Sequence, residues 1–342
     1  MTKQKIQKFD EILDASNKSI FHSSRIVSEP IIDEISQILN KAEVVFVGTN
    51  QKGISSCWVC NKCGFIPRCQ RCDRNYYLND HGKLKCPICG QTAKPEDNCP
   101  KCKNKIVKYV GIGINRLFSE MKKLFPKEEV LFIGEEKKSE TRKKYVNGIL
   151  ALKRGIVVCS INFFKTAKFN ENTALLVFLN PDKTLFLPDF NSYELKYQEI
   201  AEVISRDYKI MLQTKYPDNE IIKLAVKNNY QKMKKNELKL RKDGLLPPFY
   251  HLIKFMAKDK EETKAQAKIQ KLLNNLAELN FEFPLLLEPY PAYPEKIRDQ
   301  YRFNLVVGFK DQKIKNHPHF VDIIRNCSLE KINVDVDPVS LL

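Results

Sequence analysis

The chain alternates short, wholly apolar runs with stretches in which apolar residues recur every three or four positions. In "SEPIIDEISQILNK", Ser28 stands as an N-cap, and Ile31, Ile35, Ile38 and Leu39 share one helical face. The run Val44–Val47 follows as a buried strand. "NRLFSEMKKLFP" places Leu117, Met121, Leu124 and Phe125 on one helical face, and Pro126 ends that helix. "EVLFIG", "GIVVCS", "ALLVFLN" and "IMLQT" then read as strands, separated by helical stretches such as 139–153 and 192–205. Strands that are apolar throughout are buried on both faces, and their alternation with helices predicts a parallel sheet covered on each side. Up to about residue 215 the pattern predicts an α/β layer of five such strands.

From about residue 216 the character changes. Residues 220–243, "EIIKLAVKNNYQKMKKNELKLRKD", carry eight Lys or Arg against three acids on a helix-like period, and Gly244 breaks the run. "HLIKFMAK", a helix over 260–278, "FPLLLEP", "RFNLVVGF", a helix near 317–326 and "KINVDVDP" together predict a small α+β domain.

At 342 residues the chain has length for two or three domains. Its opening, "MTKQKIQKFDEILD", has no apolar core of a signal peptide. The longest apolar run, "ALLVFL" at 174–179, falls short of the ~20 residues a membrane span needs. The expectation is a cytoplasmic protein with no membrane partner. A reducing compartment argues against reading eleven cysteines as a disulfide framework. The formal charge of +17 favours a polyanionic partner, most often nucleic acid, through counterion release. A Lys-rich background gives the same balance without any such partner.

One stretch imitates a nucleotide site. In "VVFVGTNQKGIS", Gly48 and Gly53 have the spacing of a phosphate loop. A working loop needs Lys and then Ser or Thr after the second glycine, to reach the β/γ-phosphates and Mg²⁺. Those places hold Ile54 and Ser55, and no complete G-x-x-x-x-G-K-[ST] occurs in the chain. The stretch reads as a strand followed by a turn.

The chemistry concentrates elsewhere. Nine cysteines lie between positions 57 and 102, and from Cys60 they read C-x2-C-x5-C-x2-C-x13-C-x2-C-x9-C-x2-C. Each C-x2-C sets two thiolates on one tight turn, half of a tetrahedral zinc site, so eight ligands predict two closed four-cysteine sites. A redox motif would use one such pair, and a catalytic zinc would need an open position. The segment has few large apolar residues, so bound metal would have to supply its folding energy. Cys57 also makes a C-x2-C with Cys60 but reads as a spare thiol, because Cys60–Cys63 directly precedes Gly64, which can take a positive φ. His81 reads as a surface residue.

The cysteine register, the scaffold and the tail together resemble the C-terminal half of the PriA (primosomal protein N′) family of replication-restart DNA helicases. "LPDFNSYELKYQ" (187–198) is similar to the family's P-D-F-R-A-x-E-x-x-x-Q and keeps Pro188, Asp189, Phe190, Glu194 and Gln198. "PPF" at 247–249, "QYRFNLVV" at 300–307 and "VDVDPVSLL" at 334–342 resemble signatures of the family's C-terminal domain. The knuckles match with one residue fewer in the central gap, and Asn50 and Gly53 remain from an N-R-R-G turn.

The resemblance implies a RecA-like helicase C-terminal lobe over 1–54 and 104–215, interrupted at 55–103 by a double zinc-ribbon module. An α+β C-terminal domain with a basic helical lead-in would occupy 216–342. It also implies a nested pairing, with Cys60, Cys63, Cys99 and Cys102 on one zinc and Cys69, Cys72, Cys86 and Cys89 on the other.

The departures bear on activity. The family's first lobe, with its phosphate loop, has no counterpart in these residues. The family's G-T-Q-M-x-A-K-G-H-D-F reads "CSINFFKTAKF" (159–169), retaining Lys165 and Phe169. Its Q-V-A-G-R-A-G-R reads "EVISR", where Arg206 aligns with the first arginine and the second, the usual arginine finger, is absent. An arginine finger acts only on a γ-phosphate held by another lobe, so the chain alone is not expected to bind or hydrolyse ATP.

Candidate contacts to single-stranded or branched DNA are Lys165, Arg206, Arg298, Arg302 and the basic run Lys232–Lys242, with Lys232, Lys234, Lys235 and Arg241. Each is equally readable as an ordinary solvated charge. The primary expectation is a DNA-binding, scaffolding replication-restart protein that works with primosome proteins. One alternative is half of a split helicase completed by a separate first-lobe chain, with Lys165 and Arg206 as its catalytic remnants. Another is a zinc-ribbon module for RNA or protein.

Overall fold

The computed structural model describes residues 11–50, 57–79, 81–105, 107–111, 113–133, 148–166, 169, 171–206, 208–278, 283–310 and 318–342. The chain opens with β1 (Glu11–Asp14), α1 (Glu29–Asn40) and β2 (Val44–Thr49). A cysteine-rich arm follows, built on β3 (Cys57–Cys60), β4 (Tyr77–Leu78), β5 (Leu84–Lys85), β6 (Thr92–Ala93) and β7 (Val107–Val110). The α/β layer resumes with α2 (Ile114–Leu124), β8 (Val130–Ile133), β9 (Gly155–Ser160), α3 (Ile161–Thr166), β10 (Thr173–Leu179), α4 (Ser192–Ile204) and β11 (Lys209–Thr214). Next come α5 (Glu220–Val226), α6 (Tyr230–Asp243), β12 (His251–Asp259) and α7 (Glu262–Ala277). The chain closes with β13 (Leu285–Leu286), β14 (Tyr290–Ile297), β15 (Gln300–Phe309), α8 (Pro318–Leu329) and β16 (Asn333–Val336).

The first sheet is parallel throughout, in the order β1-β11-β10-β2-β9-β8. It has the parallel core expected of a RecA-like lobe with an insertion, and one strand more than the sequence pattern predicts. Successive residues of a strand face opposite ways, and both directions here meet helices. Val45, Val47, Ile156, Val158, Leu175 and Val177 pack beneath Ile31, Ile35 and Ile38 of α1 and Leu117 and Met121 of α2. Val44, Phe46, Val157, Cys159, Leu176 and Phe178 pack against Phe164 of α3, Tyr197 and Ile200 of α4, Ile222 of α5 and Met233 of α6. Burial on both faces is why these strands carry no polar alternation.

Ser28 occupies the N-cap of α1, but its hydroxyl makes no capping bond. Its carbonyl receives the Ile31 amide (3.1 Å), and its own amide donates to Gln213 Oε1 of β11 (2.9 Å). The helix expected over 139–153 lies outside the described residues except at its end, where 148–151 are helical. The second half of the phosphate-loop look-alike, Gly53 included, also lies outside them. Gly48 has a packing reason. A Cβ there would sit 2.7 Å from Phe164 Cζ and 2.8 Å from Ile161 Cδ1.

The second sheet is antiparallel, ordered β13-β15-β12-β16 with β14 also on β15. Phe255, Leu305 and Val307 of this sheet bury Ile269, Leu272 and Leu276 of α7 and Phe320 and Cys327 of α8. The tail after β16 is pinned. Tyr290 Oη donates to Leu341 O (2.6 Å), Lys254 Nζ to Ser340 O (2.6 Å), and Asn191 Nδ2 to Val339 O. Among the described residues no helix is long and apolar enough to cross a membrane.

Candidate metal centres and the surrounding cations

Four backbone turns of one design hold eight thiols. In each turn, the amide four residues after the first cysteine donates to that cysteine's carbonyl, and the cysteine's own amide donates to the carbonyl five residues on. The bonds are Gly64 N to Cys60 O (3.0 Å) with Cys60 N to Phe65 O (2.9 Å), and Asp73 N to Cys69 O (2.7 Å) with Cys69 N to Arg74 O (2.8 Å). The other two turns repeat them, with Gly90 N to Cys86 O (3.1 Å), Cys86 N to Gln91 O (2.8 Å), Lys103 N to Cys99 O (2.8 Å) and Cys99 N to Asn104 O (2.9 Å). The fifth residue of each turn is left-handed, with φ of 69° at Gly64, 46° at Asp73, 77° at Gly90 and 57° at Lys103. Glycine takes this conformation freely, whereas for a residue with a side chain it costs roughly 1–2 kcal/mol.

The turns meet in nested fashion. Cys60, Cys63, Cys99 and Cys102 gather at one point and Cys69, Cys72, Cys86 and Cys89 at another, each set with its sulfurs within 4.8 Å of one another. Sulfur pairs stand 3.5 Å apart (Cys60–Cys102), 3.6 Å (Cys63–Cys99) and 3.6 Å (Cys69–Cys89), and all eight are free thiols. Four sulfurs about 2.3 Å from a central zinc lie about 3.8 Å from each other, so the donor set and its spacing fit a tetrahedral thiophilic ion.

Electrostatics point the same way. The Cys63 amide, and then that of Lys62, favour a thiolate at Cys60 and bring it down to about 6 against the opposing effect of burial. Burial raises Cys89, yet the Gln91 amide and the thiols of Cys72, Cys69 and Cys86 bring it down to about 7. Burial pushes Cys86 up to about 12, and neighbouring Cys89 and Cys69 add to this. Four crowded thiols cannot all ionise without a cation among them; a bound ion removes that conflict.

The arm carries its own small core, with Trp58, Tyr76, Leu78 and Leu84 buried among the cysteines and Trp58 edge-on to Phe65 at 6.2 Å. The side chain of Cys57 lies outside the described residues; its backbone pairs with Val110 in β3–β7. His81 is exposed and belongs to neither cysteine group. The last two cysteines, Cys159 and Cys327, are buried in the sheet cores.

The candidate cations do not converge as the thiols do. Lys232, Lys234 and Lys235 are exposed along α6, where Lys232 Nζ stands 3.9 Å from Glu220. Arg241 is turned inward, its guanidinium 2.7 Å from Glu194, 2.9 Å from Glu237 and 5.3 Å from the Phe190 ring, with 13% of its side chain accessible. Arg302 is partly buried, donating through Nη2 to Pro294 O, and burial lowers its pKa. Arg206 lies 5.7 Å over the Phe169 ring. Arg298 is exposed at the β14–β15 turn. Lys165 falls in α3, its side chain outside the described residues.

Two constellations escape a reading of the sequence. Lys196, 1% exposed, is ion-paired with Glu199, which also receives Asn50 Nδ2. The i,i+3 spacing of opposite charges on an otherwise apolar face was the available signal. Asp189, in the P-D-F stretch, holds the tail through the Leu341 amide, an interaction across 152 positions that no local pattern encodes.

Residues 242–339, the second sheet and its helices, match the family described as Primosomal protein N C-terminal domain. The wider chain is similar to proteins named Replication restart protein PriA. The identity is 28% over 92% of this chain with that of Borreliella burgdorferi, 26% over 88% with that of Bacillus subtilis, and 26% over 96% with that of Haemophilus influenzae. The chain spans 49%, 38% and 46% of those relatives, under half of each. The protein is thus similar to the C-terminal half of replication restart protein PriA, with residues 242–339 matching the Primosomal protein N C-terminal domain.

Proposed function

We propose that this chain binds forked or branched DNA and scaffolds replication restart, with two zinc ions folding its arm. The observation that carries the reading is similarity to Replication restart protein PriA along at least 88% of the chain in each of three relatives. Lys232, Lys234, Lys235 and Arg298 are exposed and suited to sequence-independent phosphate contact. Lys165 and Arg206 add to them from the parallel-sheet lobe. Arg241 and Arg302 support the fold around those positions. The arm is the surface offered to primosome proteins, in the cytoplasm. The 342 residues contain no phosphate loop, and on their own they bind no ATP.

The test is a titration of forked DNA at rising salt. Each neutralised phosphate contributes about −0.9 to the slope of log affinity against log salt, so a steep fall is expected. A flat response, or affinity no greater than that of an equally basic control protein, overturns DNA as the ligand and favours a protein- or RNA-binding module. DNA-stimulated ATP turnover that disappears in Arg206→Ala overturns the non-catalytic part and favours half of a split motor.

A further inference from the structure

The two-residue loop between β14 and β15 is strained in a specific way. Ile297 pairs with Gln300, so Arg298 and Asp299 form the loop, with φ of 50° and 67°. Positive φ at both central residues is the demand of a type I′ hairpin turn, for which Asn-Gly is the usual choice. Asp tolerates that backbone but Arg is disfavoured in it, and the loop amides have a use. Arg298 N donates to Cys72 Sγ (3.4 Å) and Asp299 N to Arg71 O (2.9 Å). Side chains add to the grip, with Asp299 Oδ2 2.6 Å from Arg71 Nε, Lys296 Nζ 3.1 Å from Gln70 O, and the Arg74 guanidinium 4.5 Å over the Tyr293 ring.

Every one of these interactions falls on residues 70–74, the turn that presents Cys69 and Cys72. Among the described residues, the hydrogen bonds shown for Cys60, Cys63, Cys99 and Cys102 come from the arm itself. We infer that the β14–β15 turn is the outer shell of the second four-cysteine site alone, so that metal affinity at that site and docking of the arm on the second sheet are one coupled equilibrium. An N–H pointed at a ligating sulfur disperses its charge and fixes its position. Coupling is reciprocal: whatever the turn adds to metal affinity, the metal adds to docking. The inference rests on reading the cysteine groups as zinc sites.

The test uses the full chain loaded with zinc(II) and a double variant, Lys296→Met with Asp299→Asn. Asparagine tolerates the left-handed backbone, and both positions lie outside the buried cores. Zinc release to a chelator is timed, and exchange of the Arg298 and Asp299 amides is followed in the parent chain as metal leaves. In the variant, one of the two equivalents should leave about 10–100-fold faster, the range typical of removing an outer-shell partner, while the other keeps its rate. In the parent, the two amides should lose protection with the second site's ion. Unchanged release in both phases, equal acceleration of both, or amide protection indifferent to metal overturns the inference. A chain that binds no zinc overturns the metal reading beneath it as well.

Discussion

The amide of Leu341 donates to Asp189 Oδ1 at 3.0 Å, joining the tail that follows the second sheet to the loop that follows β10 of the first. Asn191 reaches Val339 O beside it, and Tyr290, Lys254 and Asn304 hold the same tail from the second sheet. Asp189 therefore serves as a joint between the two sheets. Asp189→Ala should destabilise the chain by roughly 1–3 kcal/mol, the cost of orphaning a partly buried donor. Urea unfolding measures the change, and limited proteolysis should show earlier cleavage of the tail.

Metal analysis should return two zinc ions per chain. Cys99→Ser and Cys69→Ser should each remove one, and the two ions should be removed by different substitutions because the thiol groups are separate. A single variant that empties both sites contradicts two independent centres.

Arg241 and Lys234 should part company. Arg241→Ala leaves Glu237, 8% exposed, without its partner, and should cost roughly 2–4 kcal/mol, somewhat below a fully buried pair because Glu194 stays wet. Lys234→Ala with Lys235→Ala should leave stability within about 0.5 kcal/mol and reduce the salt slope of DNA binding by about 1 for each phosphate that is no longer neutralised. Thermal unfolding and a salt titration on the same variants separate the two roles.

Gly48→Ala tests whether that position serves packing. Its Cβ would enter the space of Phe164 and Ile161, and overpacking of this kind costs about 1–3 kcal/mol. A drop in stability read by denaturant midpoint is expected; an unchanged midpoint would mean the neighbours simply give way.

The Glu128–Arg154 pair should shape the acid limb of stability. The Arg154 guanidinium holds the Glu128 carboxyl below its ordinary 4.5, its hydrogen bond outweighing burial. A carboxylate depressed in the folded state contributes stability above its unfolded pKa, and that contribution is lost as pH falls through the folded value. Unfolding measured from pH 7 downward should therefore show a decline below about 4.5 that is shallower in Glu128→Gln.

Pattern and spacing make much of this legible. Val44–Val47, 174–179 and their parallel neighbours are apolar enough to be read as two-sided strands, and Gly64 announces a left-handed knuckle turn. β1 is not legible in the same way, because "EILD" is a four-residue edge strand that buries Leu13 alone. Arg302 misleads for a related reason. A charged residue in a strand reads as solvent-facing until β14 is folded across it and Pro294 O receives its guanidinium. Asp189, Lys196 and the Arg298 amide owe their partners to tertiary structure, which local periodicity does not carry. The cysteines are the exception, since metal chemistry imposes their spacing from within the sequence itself.

The stem of the arm has one last implication. Cys57 lies opposite Val110 and Cys60 opposite Val107 in an antiparallel pair, so the chain leaves and re-enters the lobe about 5 Å apart, one strand spacing. Seen from β2 and α2, the intervening segment is no longer than a tight bend. Its length and its metals can vary beyond the stem while the crossover stays geometrically the same, which makes the arm a graft upon the lobe rather than a thread woven through it.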